Sequence, residues 1–287
     1  MLFRQWGWGH CFHFGRRFKG EDFHASLARH EHWLAYRGGF QPGQKIIDVG
    51  CGVGGPMRAI ARFTGANVIG INNNAYQIQR GTIHVRFAAL FQLPIAQLAC
   101  LSPLQNARAK LSQQCSFVQS DFMHMKLPDN SVDGAYAIEA TCHAPDKVPC
   151  FREVYRVLKP GATFVGYEWC MTEKYDRKDP VHNAIKKGIE EGDSLPDLVM
   201  TKEVDQALEE AGFKVVEAFD ISIPEGPNEV RLTLPELPTH SQRACVVAGS
   251  VVRDSGRSGL HRHLQLRALE GRHLPDALLL LGHGVPA

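Results

Sequence analysis

Several features that would assign this sequence to other protein classes are missing from it. The longest apolar run near the end, residues 277–281, is far shorter than the roughly 20 residues that cross a bilayer, so we expect any membrane contact to be peripheral. The first residues lack a secretory signal pattern. The eight cysteines include no C-x-x-C pair, which argues against a zinc site or a disulfide framework and fits a reduced, cytoplasmic compartment.

Acidic residues are missing from one long stretch of the chain. The total charge is nearly balanced at +2 and no element carries a basic cluster, which argues against a nucleic-acid partner. No Asp or Glu lies between Asp48 and Asp121, and residues 82–113 within that gap have no steady period and carry Pro94 and Pro103 inside apolar runs. Because loops of this length are uncommon in a compact domain, we predict an insertion at residues 82–113, with a retained intron as its hypothetical origin.

Aromatic residues are missing from the C-terminal stretch. No Phe, Trp or Tyr follows Phe219, although the average aromatic content of 9% would place about six there. No lysine follows Lys214. We therefore predict that residues 221–287 form an atypical, disordered tail, with out-of-frame sequence as the hypothesis for its origin. A spliced transcript that encodes the tail and the insertion unchanged would contradict both hypotheses.

The chain does have a glycine-rich turn that directly follows a hydrophobic strand. Residues 46–55 read I-I-D-V-G-C-G-V-G-G, and a helical pattern with Pro56 near its start comes next. Glycine tolerates positive φ and lets a ligand approach the main chain, and the helix start adds free N–H groups. The spacing G-x-G-x-G-G differs from the dinucleotide fingerprint, and a phosphate loop ending in G-K-[ST] is absent. The turn predicts a loop that binds a cofactor.

Strand and helix patterns alternate through the middle of the chain. This alternation predicts an α/β fold with a Rossmann-like, doubly wound, mostly parallel sheet, in which ligands bind at the carboxyl ends of the strands. The predicted strands are residues 46–49, 67–71, 115–120, 132–138, 162–167 and 214–218. The predicted helices cover residues 22–36, 56–63 and 147–158, with another starting at 76 and one ending near 212.

Longer motifs narrow the family. The D-x-G-x-G-x-G form at residues 48–54 resembles motif I of class I S-adenosylmethionine-dependent methyltransferases. The runs G-W-G-H-C-F-H-F, I-E-A-T-C-H and Y-E-W-C-M-T resemble a sterol 24-C-methyltransferase, and motifs in the same order cover most of residues 6–81 and 115–218. The resemblance implies an N-terminal aromatic substrate segment at residues 1–40 and an S-adenosylmethionine-binding domain at residues 41–220, and the atypical tail at residues 221–287 follows them.

This resemblance also implies a reaction. A methyl group passes from the sulfonium of S-adenosylmethionine to C24 of a sterol side-chain double bond, and the cationic intermediate is relieved by a hydride shift and loss of a proton. Such a site needs an apolar slot, aromatic or acidic groups that face a cation, and a base. The implied partners are a sterol and, peripherally, the endoplasmic reticulum membrane. The oligomeric state stays open.

The resemblance assigns the cofactor contacts to three strand ends. The implied residues are Asp48, Gly50, Cys51, Gly52, Gly54, Asn72, Asp121 and Phe122. Asn72 stands where most related enzymes have an acid for the ribose hydroxyls, and Ala75 replaces an acid that follows it in many family members. Asp121 is expected to face the adenine amino group and Phe122 to pack on the ring. A cap beside a core aromatic is the alternative for this pair.

Three residues are candidates for catalysis: Glu139 and His143 after the fourth strand, and Glu168 after the fifth. Glu168 is expected to stabilise the cation or remove the proton, with a structural hydrogen bond as the alternative. The implied substrate residues are Trp6, Trp8, Phe12, Phe14, Glu31 and Tyr167, and for the four aromatic residues of the N-terminus a membrane patch or ordinary packing is the alternative. No metal site is expected, because His30 and His32 point to different faces of a helix.

Two further functions remain open at this stage. A methyltransferase of the same fold can act on another lipid or a quinone. The insertion and the tail also permit a product that binds cofactor but is catalytically impaired.

Overall fold

The structure, a computed structural model, describes residues 10–15, 17–87, 111–220, 229–230 and 244–253. These residues fall in one unit, Met1–Arg253. The strands among them are β1 (Arg17–Phe18), β2 (Lys45–Val49), β3 (Asn67–Asn72), β4 (Cys115–Gln119), β5 (Val132–Ile138), β6 (Leu158–Met171), β7 (Phe213–Asp220), β8 (Glu229–Val230) and β9 (Ala244–Arg253). The helices are α1 (Phe23–Arg37), α2 (Gly55–Thr64), α3 (Ala75–Phe87), α4 (Lys147–Val157), α5 (Pro180–Asp193) and α6 (Thr201–Glu210), with a short 3₁₀ helix at Thr141–His143.

A seven-stranded sheet forms the centre of the unit. Its order is β4-β3-β2-β5-β6-β9-β7, and β1 pairs separately with β8. The five strands from β4 to β6 are parallel to their neighbours, whereas β9 is antiparallel to both β6 and β7. The chain winds outward from β2 to β4 and then crosses back to β5. The strand order therefore reverses between β2 and β5, which is where α/β sheets of this kind bind ligands.

Helices cover both faces of the sheet, and this explains the continuous apolar runs of the inner strands. On one face, side chains of α1 and α2 such as Leu34 and Ile60 pack on Ile46 of β2. On the other face, Phe151 of α4 and Leu208 of α6 pack in a second cluster. Within the described residues, no helix is both long and apolar enough to cross a membrane.

Local sequence signals fix the helices that border the ligand edge. Asp22 caps α1, because its side chain accepts hydrogen bonds from the backbone N–H groups of His24 and Ala25. Gly54, with φ of 73°, is the N-cap of α2, and Pro56 lies in the first turn of that helix. The glycine turn at the end of β2 therefore leads directly into the first turn of α2.

The predicted fold class is confirmed, and the predicted strands correspond to β2 through β7. The expectation of a tail outside the domain is wrong for residues 244–253, because β9 lies between β6 and β7 in the main sheet. The predicted insertion begins inside α3, which continues to residue 87, and residues 88–110 lie outside the described part. The N-terminal segment and the domain share one core, since α1 packs on the sheet.

Candidate active site

A cavity of about 620 Å³ lies at the carboxyl edge of the sheet, at the switch point between β2 and β5. Volumes of this size are typical of sites for small molecules and cofactors. Its walls come from the glycine turn, from the ends of β3, β4 and β5, and from the segment of residues 10–15. The predicted residues that line it are Phe12, Phe14, Asp48, Gly50, Cys51, Gly52, Asn72, Asp121, Phe122, Glu139 and His143.

The glycine turn packs so closely against its neighbours that its glycine positions leave little room for a side chain. Gly50 and Gly52 have φ of 81° and 53°, a region that favours glycine. A Cβ on Gly50 would lie 2.4 Å from the Cβ of Ala140, in the turn after β5. The Gly50 N–H donates to the carbonyl oxygen of Ile71 at the end of β3 (N···O 2.9 Å). The turn is therefore fixed against both neighbouring strands.

Two predicted cofactor residues shape this turn. The backbone N–H of Gly54 donates to the carbonyl oxygen of Cys51 (2.8 Å), and the N–H of Cys51 donates to the carbonyl oxygen of Ile71 (3.0 Å). Cys51 also lines the cavity, whereas Gly54 is not among its lining residues in the described part. Gly54 therefore acts on the cavity through the path of the backbone.

The N-terminal segment of residues 10–15 lies directly on the glycine turn. A Cβ on Gly52 would lie 3.2 Å from the ring of Phe12, and one on Gly55 would lie 2.1 Å from the carbonyl oxygen of His10. Further along, the backbone N–H of Phe14 donates to Oε1 of Glu139 (3.0 Å). The predicted positions of Phe12 and Phe14 at the cavity thus follow from this packing, and Trp6 and Trp8 lie outside the described residues.

Asn72 ties the end of β3 to the glycine turn. Its Nδ2 donates to the carbonyl oxygen of Gly52 (3.2 Å) and to Oε1 of Gln77 (2.7 Å). Its Oδ1 accepts the N–H of Asn74 (3.0 Å). Since carbonyl oxygens have two lone pairs, Oδ1 retains acceptor capacity toward the cavity.

Asp48 places a buried carboxyl group under the turn. Burial raises its pKa to about 7, although the phenol of Tyr136 on the neighbouring strand opposes the rise. Among the described residues, its Oδ2 makes no hydrogen bond of good geometry, and the Tyr136 hydroxyl is the nearby group that could donate to it. An unsatisfied buried carboxyl oxygen beside a cavity is an arrangement that favours a cationic or hydrogen-bond-donating ligand.

The end of β4 presents Asp121 and Phe122 to the cavity. Oδ1 of Asp121 accepts the backbone N–H of Met123 (2.8 Å), and Phe122 also packs against the core. The turn and core contacts of the alternative are therefore present, and both residues also line the cavity, whereas their expected contacts with adenine stay a prediction.

Glu139 follows β5 and faces the segment of residues 10–15. Its φ of 50° is unusual for a residue with a side chain. The carboxylate accepts the N–H of Phe14 at Oε1 and the indole N–H of Trp169 at Oε2, each at 3.0 Å. Burial raises the pKa of Glu139 to about 7, and the charge of His13 and these two hydrogen bonds moderate the rise.

His143 closes the 3₁₀ helix on the far side of the cavity. Burial and the charge of Lys147 lower the pKa of His143, while Asp193 and a hydrogen bond to the backbone of Ser194 oppose this. A lowered pKa leaves the imidazole neutral near pH 7 and able to accept a proton. Asp193, Ser194 and Leu195 also line the cavity. They were not predicted, because α5, which ends at Asp193, carries no motif in the sequence.

The structure does not bring Glu168 to this cavity. Its carboxylate is 5% exposed and accepts the hydroxyl of Thr141 (2.5 Å), on the face of β6 opposite to Trp169 and the cavity. Lys147 lies 4.0 Å away and supplies a positive charge. Burial raises the pKa of Glu168, and Lys147 and Thr141 counteract it.

Glu31 and Tyr167 are also not among the described residues that line the cavity. Tyr167 stacks on His30 (ring centroids 3.7 Å apart) and donates its hydroxyl to the carbonyl oxygen of that residue (3.0 Å). Oε1 of Glu31 lies 2.8 Å from Nε2 of His13. Although burial opposes it, this bond raises the pKa of His13. Glu31 therefore holds the segment of residues 10–15 directly, whereas Tyr167 packs on His30 of α1.

Cys11, His13 and Glu31 bring three potential metal ligands within 4.8 Å of one another. The spacing C-x-H with a distant acid gave no recognisable signal in the sequence. The Cys11 thiol donates to the same Glu31 oxygen that His13 contacts, so the three side chains satisfy one another without an ion.

Comparisons with known proteins agree with this geometry. A family model described as a methyltransferase domain matches residues 47–166. The chain is 48% identical over 220 residues to a cycloartenol-C-24-methyltransferase of Arabidopsis thaliana, covering 77% of this chain and 59% of that one. A sterol 24-C-methyltransferase of Yarrowia lipolytica is 47% identical over 220 residues, covering 77% and 52%. The crystal structure of a geranyl diphosphate C-methyltransferase from Streptomyces coelicolor superposes with a TM-score of 0.66 at 16% identity, covering 85% of this chain and 91% of that one.

The fold and the matched domain are those of class I methyltransferases. The curated relatives narrow this further. Over 220 residues the chain is similar to sterol 24-C-methyltransferases, in agreement with the resemblance of its motifs. The chain spans between about half and three fifths of the length of these relatives.

Proposed function

We propose that this chain binds S-adenosylmethionine in the cavity and transfers a methyl group to C24 of a sterol side-chain double bond. The observation that carries the proposal is the meeting, in one cavity, of the glycine turn after β2 and Glu139 after β5. The names and the identity of the curated relatives support the sterol as substrate. Because the chain spans only part of those relatives, the activity needs a direct test.

The residues around the cavity fit the cofactor. The turn at Gly50 and Gly52 leaves no room for side chains and exposes backbone to the cavity, which suits a closely bound ligand. Asp48 offers an unsatisfied carboxyl oxygen to a cationic group, and Asn72 offers an amide oxygen to a hydroxyl. When bound, S-adenosylmethionine supplies a methyl group on a positively charged sulfur.

The chain's own residues provide the remaining requirements of the reaction. Phe12, Phe14 and Trp169 give the cavity an aromatic wall, and aromatic faces stabilise cations by about 0.5–2 kcal/mol each when water is excluded. The Glu139 carboxyl, with its pKa near 7, can face a cation as the carboxylate and can also take up a proton. The neutral imidazole of His143 is a second proton acceptor at the opposite wall.

The direct test measures methyl transfer from labelled S-adenosylmethionine to a Δ24-sterol, with the product identified by mass spectrometry. Glu139→Gln should lower kcat about 100-fold, the lower range for loss of a general base. The matched control is Glu173→Gln, because Glu173 pairs with Lys202 at the surface. Cofactor binding without any transfer by the wild-type chain would support the catalytically impaired alternative. Transfer to another lipid or a quinone, but not to the sterol, would replace the sterol assignment.

We also propose peripheral contact with an anionic membrane surface, as a sterol substrate requires access to lipid. Phe18 and Phe23 are 36% and 39% exposed, and Arg17 and Lys19 flank Phe18 in the sequence. Exposed aromatic side chains flanked by basic residues suit the interface of anionic lipids. The double variant Phe18→Ser/Phe23→Ser should sediment less with phosphatidylserine vesicles, whereas Tyr76→Ser, at another exposed aromatic, should not change sedimentation. Equal sedimentation of all three proteins would contradict this contact.

A further inference from the structure

Glu168 stands next to Glu139 in the sheet but belongs to a different environment. The N–H of Glu139 donates to the carbonyl oxygen of Tyr167 (3.0 Å), so Glu139, directly after β5, lies beside Glu168 of β6. Glu139 contacts the cavity side, whereas Glu168 is buried under the 3₁₀ helix on the opposite face. Glu168 is not among the described residues that line the cavity, and the 3₁₀ turn of residues 141–143 lies between its carboxylate and the cavity.

The buried carboxylate is bonded to the turn that carries the cavity-facing groups. Oε2 of Glu168 accepts the Thr141 hydroxyl (2.5 Å), and Oε1 accepts the backbone N–H of Trp169 (3.2 Å). Nζ of Lys147 donates to the carbonyl oxygen of Thr141 (2.7 Å) and lies 4.0 Å from the Glu168 carboxylate. Glu168 therefore holds the side chain of Thr141, Lys147 holds its backbone carbonyl, and the two charged groups lie close to each other.

Residues of the cavity wall lie on both sides of Thr141 in the chain. Glu139 precedes it in a left-handed conformation with φ of 50°, which needs support from its surroundings. The Cys142 thiol donates to the carbonyl oxygen of Glu139 (3.1 Å), and His143 ends the 3₁₀ helix. A change in how Thr141 is held is therefore transmitted to both Glu139 and His143 through one short stretch of backbone.

We propose that Glu168 is a positioning residue: through Thr141 and Lys147, its buried carboxylate fixes the turn that aims Glu139 and His143 into the cavity. The inference rests on the proposed function for the chemistry that the turn serves. The bond network itself makes a separate structural claim that is measured without turnover.

The key variant is Thr141→Val, which removes the hydroxyl and leaves the Glu168 carboxyl in place. The indole N–H of Trp169 donates to Glu139, so its proton–nitrogen NMR signal reports where that carboxylate lies. We expect the signal to shift in Thr141→Val, with kcat about tenfold lower and the KM for the cofactor within about threefold, as for a small misplacement of reacting groups. The signal is assigned with Trp169→Phe.

The matched control is Thr64→Val. Thr64 is also a buried threonine whose hydroxyl donates to a backbone carbonyl, that of Ile60 (2.7 Å), but it lies at the end of α2. Thr64→Val should leave both the Trp169 signal and kcat unchanged. The conservative variant Glu168→Gln keeps an acceptor for Thr141 and should preserve more activity than Glu168→Leu.

Two results would overturn the inference. An unshifted Trp169 signal in folded Thr141→Val would show that the turn is held without Glu168. Loss of all turnover in Glu168→Gln, with full turnover in Thr141→Val, would make the Glu168 carboxyl a chemical participant. If the wild-type chain has no transferase activity, the proposed function fails, and the shift of the Trp169 signal still decides the positioning role.

Discussion

Gly50 and Gly39 offer a comparison that separates two costs of adding a side chain. Both have positive φ, 81° and 64° respectively. A Cβ on Gly39 would meet nothing within 4 Å, whereas one on Gly50 would lie 2.4 Å from the Cβ of Ala140. The left-handed backbone costs a residue with a side chain about 1–2 kcal/mol at either position. Overpacking adds about 1–3 kcal/mol at Gly50 alone.

Gly50→Ala should therefore lower the free energy of unfolding by about 1–3 kcal/mol more than Gly39→Ala does. Both variants gain the same small offset from a stiffer unfolded chain, so it cancels in the comparison. Urea titration followed by far-UV circular dichroism measures the difference, provided that the slopes agree. Calorimetry should also find the affinity of Gly50→Ala for S-adenosylmethionine at least about tenfold weaker, a loss of about 1.4 kcal/mol.

Equal destabilisation by the two alanines would refute this reasoning. It would mean that the turn after β5 retreats from the new methyl group at no cost. Destabilisation of Gly50→Ala with unchanged cofactor affinity would instead separate the packing of the glycine turn from its proposed role in binding.

Two further predictions concern the same edge of the sheet. Burial raises the pKa of Asp48 from 3.8 to about 7, so the folded chain binds the proton more tightly than the unfolded chain does. The contribution of Asp48 to the free energy of unfolding should therefore fall as the pH rises from about 4 to about 7. Thermal unfolding across this range should show a flatter profile for Asp48→Asn, and an unchanged profile would contradict the assignment. Asn72→Ala loses the hydrogen bonds to Gly52 and Gln77 and should weaken cofactor binding about tenfold in calorimetry, at about 1–2 kcal/mol in binding free energy. Asn67→Ala, which loses an exposed bond at the other end of β3, is the control and should bind normally.

The central strands and the glycine turn could be predicted from the sequence because their signals are local. A strand buried on both faces reads as a continuous run of β-branched residues, as in β2, and positive φ at a tight turn selects glycine. The strand β9 was missed because its neighbours in the chain have an unusual composition, although residues 244–253 themselves read A-C-V-V-A-G-S-V-V-R, with four valines. Composition averaged over a long stretch concealed a short strand inside it.

The position of Glu168 could not be predicted because it depends on where β6 ends. The predicted strand ended at residue 167, which would leave Glu168 on the exposed sheet edge beside the glycine turn. In the structure β6 continues to Met171, so Glu168 is an interior residue of an extended strand. Alternation along the strand then directs Tyr167 and Trp169 to one face and Glu168 to the other. A difference of four residues in strand length therefore moved Glu168 from the expected sheet edge into the strand.

Glu139 and Glu168 are neighbours, but their backbone conformations place the two carboxyl groups in different surroundings. Glu139 leaves its strand in a left-handed conformation and turns its carboxyl toward Phe14 and Trp169 at the cavity. Glu168 remains extended and meets the positive charge of Lys147. Burial raises both pKa values, but only Glu139 adjoins the cavity where a cation or a proton would arise. Any mechanism that assigns the base to Glu168 would have to break its hydrogen bond to Thr141 and expose its carboxyl to the cavity, whereas Glu139 already lines the cavity.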